Sequence, residues 1–148
     1  TYLGVACAAR HSGAEVELID VGWTGAYGML VIDGRLHLQS VIDSACRLHR
    51  GMYRPEQTVC LSFQYRKHLK IGRGGMILTD DKDHAAWFRK ARFCGRAEPN
   101  GSPEFVGWHC YMEPERAARG LVLMDSLPDD NEDLVFSYPD LREYGVLR

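Results

Sequence analysis

The chain has 148 residues, 45% hydrophobic and 26% charged, enough for one domain with a real core and ordinary for a soluble globular protein. Its formal charge of −2, from 18 Lys and Arg against 20 Asp and Glu, gives no electrostatic case for nucleic acid or anionic membrane as a partner. No apolar run approaches the roughly 20 residues of a membrane span, and no basic-apolar-small signal segment opens the chain.

Leu3–His11 is small and apolar, with Thr1 as a candidate N-cap and Ser12-Gly13 as a stop, and predicts a short helix. Glu15–Ile19 alternates and holds β-branched residues, which predicts a strand ending at Asp20. Val21–Leu36 contains four glycines and no clear period, so it reads as loop with an extended piece at Met29–Ile32. Leu38–Ile42 predicts another strand, followed by a helical turn or short helix from Ser44. Val59–Ser62 and Met76–Thr79 predict two more strands. Asp80-Asp81 supplies a cap and acidic charge for a helix over Lys82–Phe93, with Trp87, Phe88, Ala91 and Cys94 on one face. Cys94–Gly107, rich in Gly, Pro, Asn and Ser, reads as loop. Pro114 suits the first position of a helix to about Leu127, with Ala117, Ala118, Leu121 and Val122 facing inward. Pro128–Asp133 reads as an acidic, exposed turn and Pro139–Tyr144 as a last helical turn.

Short apolar strands alternating with helices predict an α/β layer fold with a largely parallel sheet, organised as a single domain over 1–148. Internal repeats and low-complexity tracts do not occur. Beginning at Thr1 rather than Met, the chain reads as a fragment or a processed product. Five scattered cysteines (Cys7, Cys46, Cys60, Cys94, Cys110), odd in number and without a CxxC pair, favour reduced thiols in a cytoplasmic setting. Six histidines are equally scattered and lack His-x₃-His spacing, so no metal site is expected.

The chemistry concentrates in Cys60–Asp81, CLSFQYRKHLKIGRGGMILTDD. An apolar strand-like run ends at Ser62, Lys67 follows five residues later, and a glycine-rich turn, Gly72–Gly75, leads into the apolar run Met76–Leu78. That layout holds an amine in a polar loop between two buried strands, where it could act as a nucleophile. Read from spacing alone, Lys67 is a solvated member of the basic cluster Arg66, Lys67, His68, Lys70 and Arg73; its flanks single it out. The cluster lacks the aromatic interleaving of a nucleic-acid surface. The glycines form neither a GxGxxG nor a GxxxxGK[ST] pattern, and they lead into a strand instead of opening a helix. Asp43, after the Leu38–Ile42 strand, lies where parallel sheets bind ligands, although from the residues alone the N-cap of the following helix is the preferred reading, a place that Ser44 could fill equally well. Ser62 by itself is nondescript, and Tyr2 by itself reads as core packing.

Taken together and in order, these segments resemble the DegT/DnrJ/StrS family of pyridoxal-phosphate sugar aminotransferases. The family's Schiff-base segment reads SFxxxK, a few residues, GxGG, then an apolar strand ending in T-D-D or similar, and Ser62–Asp81 follows that pattern. VIDSA at Val41–Ala45 looks like its strand-end EDAA segment, and TYLGVACAARHSGAEVELIDV looks like "TF.AT.NAV...GA.PVFVD". GWHCYMEPERAARGLVLMDSL is similar to "GyNyRMs..qAAiGl.QL..L". The resemblance covers Thr1–Val21, Val41–Arg96 most strongly, and Gly107–Leu127.

The resemblance implies a partial PLP-transferase large domain, a mostly parallel sheet flanked by helices, without the C-terminal small domain or the upstream Gly-Thr phosphate loop. It implies pyridoxal 5'-phosphate as cofactor, with Lys67 forming the internal aldimine and shuttling a proton. Asp43 would face the pyridine nitrogen, Ser62 would donate to the phosphate, and Tyr2 would pack on the ring. The implied reaction moves an amino group from an amino acid, glutamate by analogy, to a keto sugar linked to a nucleotide. The implied assembly is a homodimer. Relatives that dehydrate sugars carry histidine in place of the lysine; Lys67 argues against that chemistry, and the adjacent His68 leaves a one-residue misregister open. Four departures stand out. Cys46 replaces a frequent Gln or His, His109 and Tyr111 replace Asn and Arg, Arg73 interrupts the usual GEGG, and the segment from Asp20 to Asp43 is short. Two other readings compete. One is a truncated, catalytically incompetent relative serving as a subunit or fold remnant. The other is a doubly wound nucleotide-binding module, for which the required glycine-rich strand-to-helix turn is not found.

Overall fold

A computed structural model describes residues 1–22, 24–31 and 39–145. They group into two compact units, Thr1–Trp23 with Val135–Arg148, and Thr24–Leu134.

The first unit is built on helix α1 (Leu3–His11). Its N-cap is Tyr2, one residue later than expected, and no side chain caps it; Ser12 ends it, and Gly13 at φ +85 turns the chain away. Ala6 and Leu141 are buried together, with Cys7, Val16 and Leu18 packed against them. The expected strand over Glu15–Ile19 does not form. The alternation is real, because Val16 and Leu18 are half-buried while Glu15, Glu17 and Ile19 are exposed. Yet none of the described strands pairs with the segment, so it joins no ladder. The expected last helical turn is a short 3-10 helix, Leu141–Glu143, capped by Asp140. Arg142 binds Asp140 through Nη2 at 2.6 Å and Asp20 through Nη1 at 3.1 Å.

The second unit holds a four-stranded sheet in the order β1 (Tyr27–Val31), β2 (Gln39–Asp43), β3 (Thr58–Ser62), β4 (Gly75–Leu78). Of the expected elements here, Ile32 and Leu38 lie outside the described residues. The α/β class holds, with the strand sense as the correction. β1 runs antiparallel to β2 and β4 antiparallel to β3, so β2–β3 is the parallel pairing of a mixed sheet. The two connections are similar in length, residues 44–57 for the parallel step and 63–74 for the antiparallel one, and the second reverses because it folds back on itself, with Phe63 N–H on the Gly74 carbonyl. The helix or helical turn expected from Ser44 is a single turn, closed by Arg47 N–H on the Ser44 carbonyl at 3.1 Å.

Burial is strongest where the loop after β3 folds back. Phe63, Leu69 and Ile71 form a buried cluster, joined by Leu48, Leu61, Met112 and Leu123. β4 is an edge strand and is not a buried one: Met76 and Ile77 are 46% and 44% exposed. Gly75 in β4 passes so close to the Leu61 carbonyl oxygen that a Cβ would collide with it.

Helix α2 (Lys82–Ala91) is capped as expected by Asp81, whose carboxylate accepts from the N–H groups of Asp83 and His84, both at 2.9 Å. It ends two residues early because the chain turns at Cys94, which sits at φ 58. Trp87 faces outward, stacked on Phe105 at 5.3 Å between centroids. Helix α3 (Pro114–Asp125) starts on Pro114 as expected. Its inward face is Ala117, Gly120 and Leu123, with Gly120 buried beside Ile71 and Leu69. Ala118, Leu121 and Val122, expected inward, are exposed, since each step along a helix rotates the side chain by about 100°. The acidic segment after α3 is exposed at residues 128–130 and Glu132, half-buried at Asn131 and Asp133, and bonded. Asp129 meets Arg50 at 2.9 Å, Asp133 meets Arg47 at 2.6 Å, and Asn131 Nδ2 donates to the Leu48 carbonyl at 2.7 Å. None of the described helices is long and apolar enough to cross a membrane.

Truncating Phe63, which is 2% exposed at the centre of the buried cluster, is expected to cost about 3–5 kcal/mol in urea unfolding of the Phe63→Ala variant. In the first unit, the Arg142 guanidinium holds the Asp140 carboxyl down to about 2. A depressed carboxyl stabilises the fold above its ordinary range, and that contribution is lost as pH falls through about 2. Carboxyl NMR titration should find that midpoint in the wild type and a return toward 3.8 in Arg142→Gln.

Candidate functional site

Because β2 and β3 run parallel, both strands end at the same edge of the sheet, where ligand sites of α/β folds gather. Asp43 closes β2 in register with Cys60, and Ser62 closes β3 two residues further on. Alternation along the strands puts Asp43, Cys60 and Ser62 on one face, while Leu61 joins the buried cluster.

Asp43 has both its carboxylate oxygens engaged. Oδ1 accepts the Ala45 N–H at 2.8 Å, and Oδ2 accepts the Tyr27 hydroxyl at 2.7 Å. The Tyr27 contact comes from the antiparallel register, in which Tyr27 lies opposite Asp43. Asp43 thus makes a local turn contact, as the N-cap reading expected, but no helix follows it. Burial, and second the charge of Asp43, push the Cys60 thiol up. The following turn is fixed on both sides. Ser44 N–H donates to the Cys60 carbonyl at 2.9 Å, and the Cys46 carbonyl accepts from Leu134 N–H at 2.9 Å.

Lys67 is 9% exposed, so the solvated-lysine reading does not hold. Its loop is closed by Phe63 N–H on the Gly74 carbonyl at 2.9 Å and Ile71 N–H on the Phe63 carbonyl at 3.2 Å. Gly72 and Gly74, at φ +99 and +113, supply the left-handed turns that this closure needs. Within the loop Lys67 N–H bonds the Gln64 carbonyl at 2.8 Å, and its Nζ lies 3.3 Å from Cys46 Sγ. Cys46 is itself 4% exposed.

The second unit therefore gathers three of the four expected residues, Asp43, Ser62 and Lys67, around two strand ends and the turn that follows β2. Tyr2 belongs to the first unit, where it is 65% exposed and lies 6.3 Å from the Tyr138 ring, so the core-packing reading fails for it. Tyr27 was missed by sequence reasoning, and only the hairpin register would have pointed to it. Cys46 registered there merely as a departure from a pattern.

The donor set fits a pyridoxal phosphate. A buried primary amine, a carboxylate with acceptor capacity beyond its two bonds, and a strand-end hydroxyl are the groups such a cofactor requires. In sequence, residues 51–133, more than half of the chain, match the profile of the DegT/DnrJ/EryC1/StrS aminotransferase family. No curated protein sequence matches the chain. Among solved structures, the chain is similar to a protein of Bacillus cereus ATCC 10987 provisionally described as a PLP-dependent aminotransferase. The match has a TM-score of 0.52 and 20% identity, and covers 64% of this chain and 27% of that one. At that identity the likeness concerns the fold.

Cys60 should react with iodoacetamide more slowly than exposed Cys110 at mildly alkaline pH. Replacing Asp43 with Asn should speed the Cys60 reaction and leave Cys110 unchanged, as read by peptide mass spectrometry.

Proposed function

The chain belongs to the DegT/DnrJ/EryC1/StrS aminotransferase family, and from that premise we propose that it carries the lysine side of a pyridoxal-phosphate site in a sugar aminotransferase. The amino donor is an amino acid, glutamate by analogy, and the acceptor is a keto sugar linked to a nucleotide. The observation that carries this reading is the burial of the Lys67 amine, on the family-matched loop, beside the ends of two parallel strands.

When bound, pyridoxal phosphate supplies an electron sink for the charge left at the donor α-carbon. Lys67 Nζ is the amine that would hold the cofactor, and once freed by the donor amine it would serve as the base for the proton at the donor α-carbon. Its low exposure keeps bulk water from competing for that proton. Asp43 keeps a proton on the ring nitrogen. Tyr27 and Ala45 orient the carboxylate for that task through their bonds to Oδ2 and Oδ1. Ser62 donates its hydroxyl to the phosphate. The ring-packing role that the resemblance gives Tyr2 lies outside this assignment, because Tyr2 belongs to the other unit. A homodimer is the assembly that the family implies, and the exposed Leu121 and Val122 of α3 offer it apolar surface.

Wild type and Lys67→Ala should be compared by visible absorption with added pyridoxal phosphate, before and after borohydride. A trappable band in the wild type alone supports the reading. Spectra identical to the free cofactor in both would favour the catalytically incompetent relative instead.

A further inference from the structure

Cys46 occupies the turn that leaves β2, three residues after Asp43, and its surroundings are fixed from three directions. Its carbonyl is held by Leu134 N–H, the turn is closed by Arg47 N–H on Ser44, and Ser44 N–H hangs the turn on β3. Arg47 adds a two-pronged ion pair to Asp133, with Nε at 2.9 Å and Nη2 at 2.6 Å. The thiol is therefore a fixed point. The lysine side chain opposite it has a long stem with several rotatable bonds and a costly share of side-chain entropy, which a fixed contact at Nζ reduces.

We propose that Cys46 is a positioning residue for Lys67: the thiol, buried and 3.3 Å from Nζ, parks the amine at the mouth of β2 in the orientation from which it captures the cofactor. This rests on the role proposed above for Lys67. Sulfur suits the task because it is a weak partner in both directions, accepting from an ammonium or donating to a neutral amine. It therefore restrains Nζ without holding it against displacement. A hydrogen-bond partner of this modest strength shifts an equilibrium by about three- to tenfold.

The full chain, as wild type, Cys46→Ala and Cys46→Ser, is read in two ways. The first uses no cofactor: acetylation of Lys67 relative to exposed Lys70, quantified by peptide mass spectrometry. The second is the rate of borohydride-stable attachment of added pyridoxal phosphate to Lys67. Loss of the thiol should raise the acetylation ratio about three- to tenfold, because the less restrained amine samples more open orientations, and should slow attachment by a similar factor. Cys46→Ser, which keeps a polar partner, should stay within about twofold of wild type in both. Opposite movement of the two readouts is the signature, since general loosening would raise both. If both rise together, or neither moves, the proposal is overturned. If the wild type never attaches the cofactor but the acetylation ratio still rises in Cys46→Ala alone, the hold on the amine stands and the cofactor reading falls. Should the alanine variant melt early, Cys46→Val keeps the volume without a polar partner and takes its place.

Discussion

Carrying a lysine amine into a protein interior is the constraint that organises the second unit. An ammonium group left there without compensation costs several kcal/mol, so the loop that carries Lys67 must be anchored by something stronger than the lysine itself. The anchor is apolar. Phe63, Leu69 and Ile71 are each at most 4% exposed, and they bracket Lys67 in sequence, four residues before, two after and four after. Burying them drags the intervening backbone inward, and the bonds between Phe63, Ile71 and Gly74 close the loop on itself. The amine then meets Cys46 on the turn from β2, and that turn is held by β3 on one side and by the segment after α3 on the other.

Much of this could be read from the residues. The β3 strand, the glycine turn and the start of β4 stand in CLSFQYRKHLKIGRGGMIL as an apolar run, a polar loop and a second apolar run. Both long-range helices announce themselves by Asp81 and Pro114. The flanks of Lys67 singled it out as the candidate amine, but its burial was not legible, because its neighbours Arg66 and Lys70 describe a solvated cluster in a polar loop. Chain neighbours do not fix which way each side chain of a tight loop points.

What stayed hidden depends on partners distant in sequence. Alternation in Glu15–Ile19 marks a half-buried extended segment, but a strand also needs another strand beside it, and that information is not local. The inward stripe of α3 was misplaced because Leu121 and Val122 are the more hydrophobic residues, while the helix approaches Ile71 and Leu69 through Gly120. Strand sense was likewise beyond the pattern, since short apolar runs look alike in either direction. Tyr27 reaches Asp43 across a hairpin whose connecting residues lie outside the described ones.

The segment after α3 ties the Cys46 turn down with two ion pairs of different character. Arg50 and Asp129 have side chains 80% and 68% exposed, whereas Arg47 and Asp133 are each 29% exposed. Dissolved electrolyte screens the first pair readily and the second much less. Rising ionic strength therefore weakens the side-chain pair at Arg50, whose backbone N–H still bonds the Asp129 carbonyl, while the Arg47 clamp grips, so the reach of the Lys67 amine is insulated from the saltiness of its surroundings.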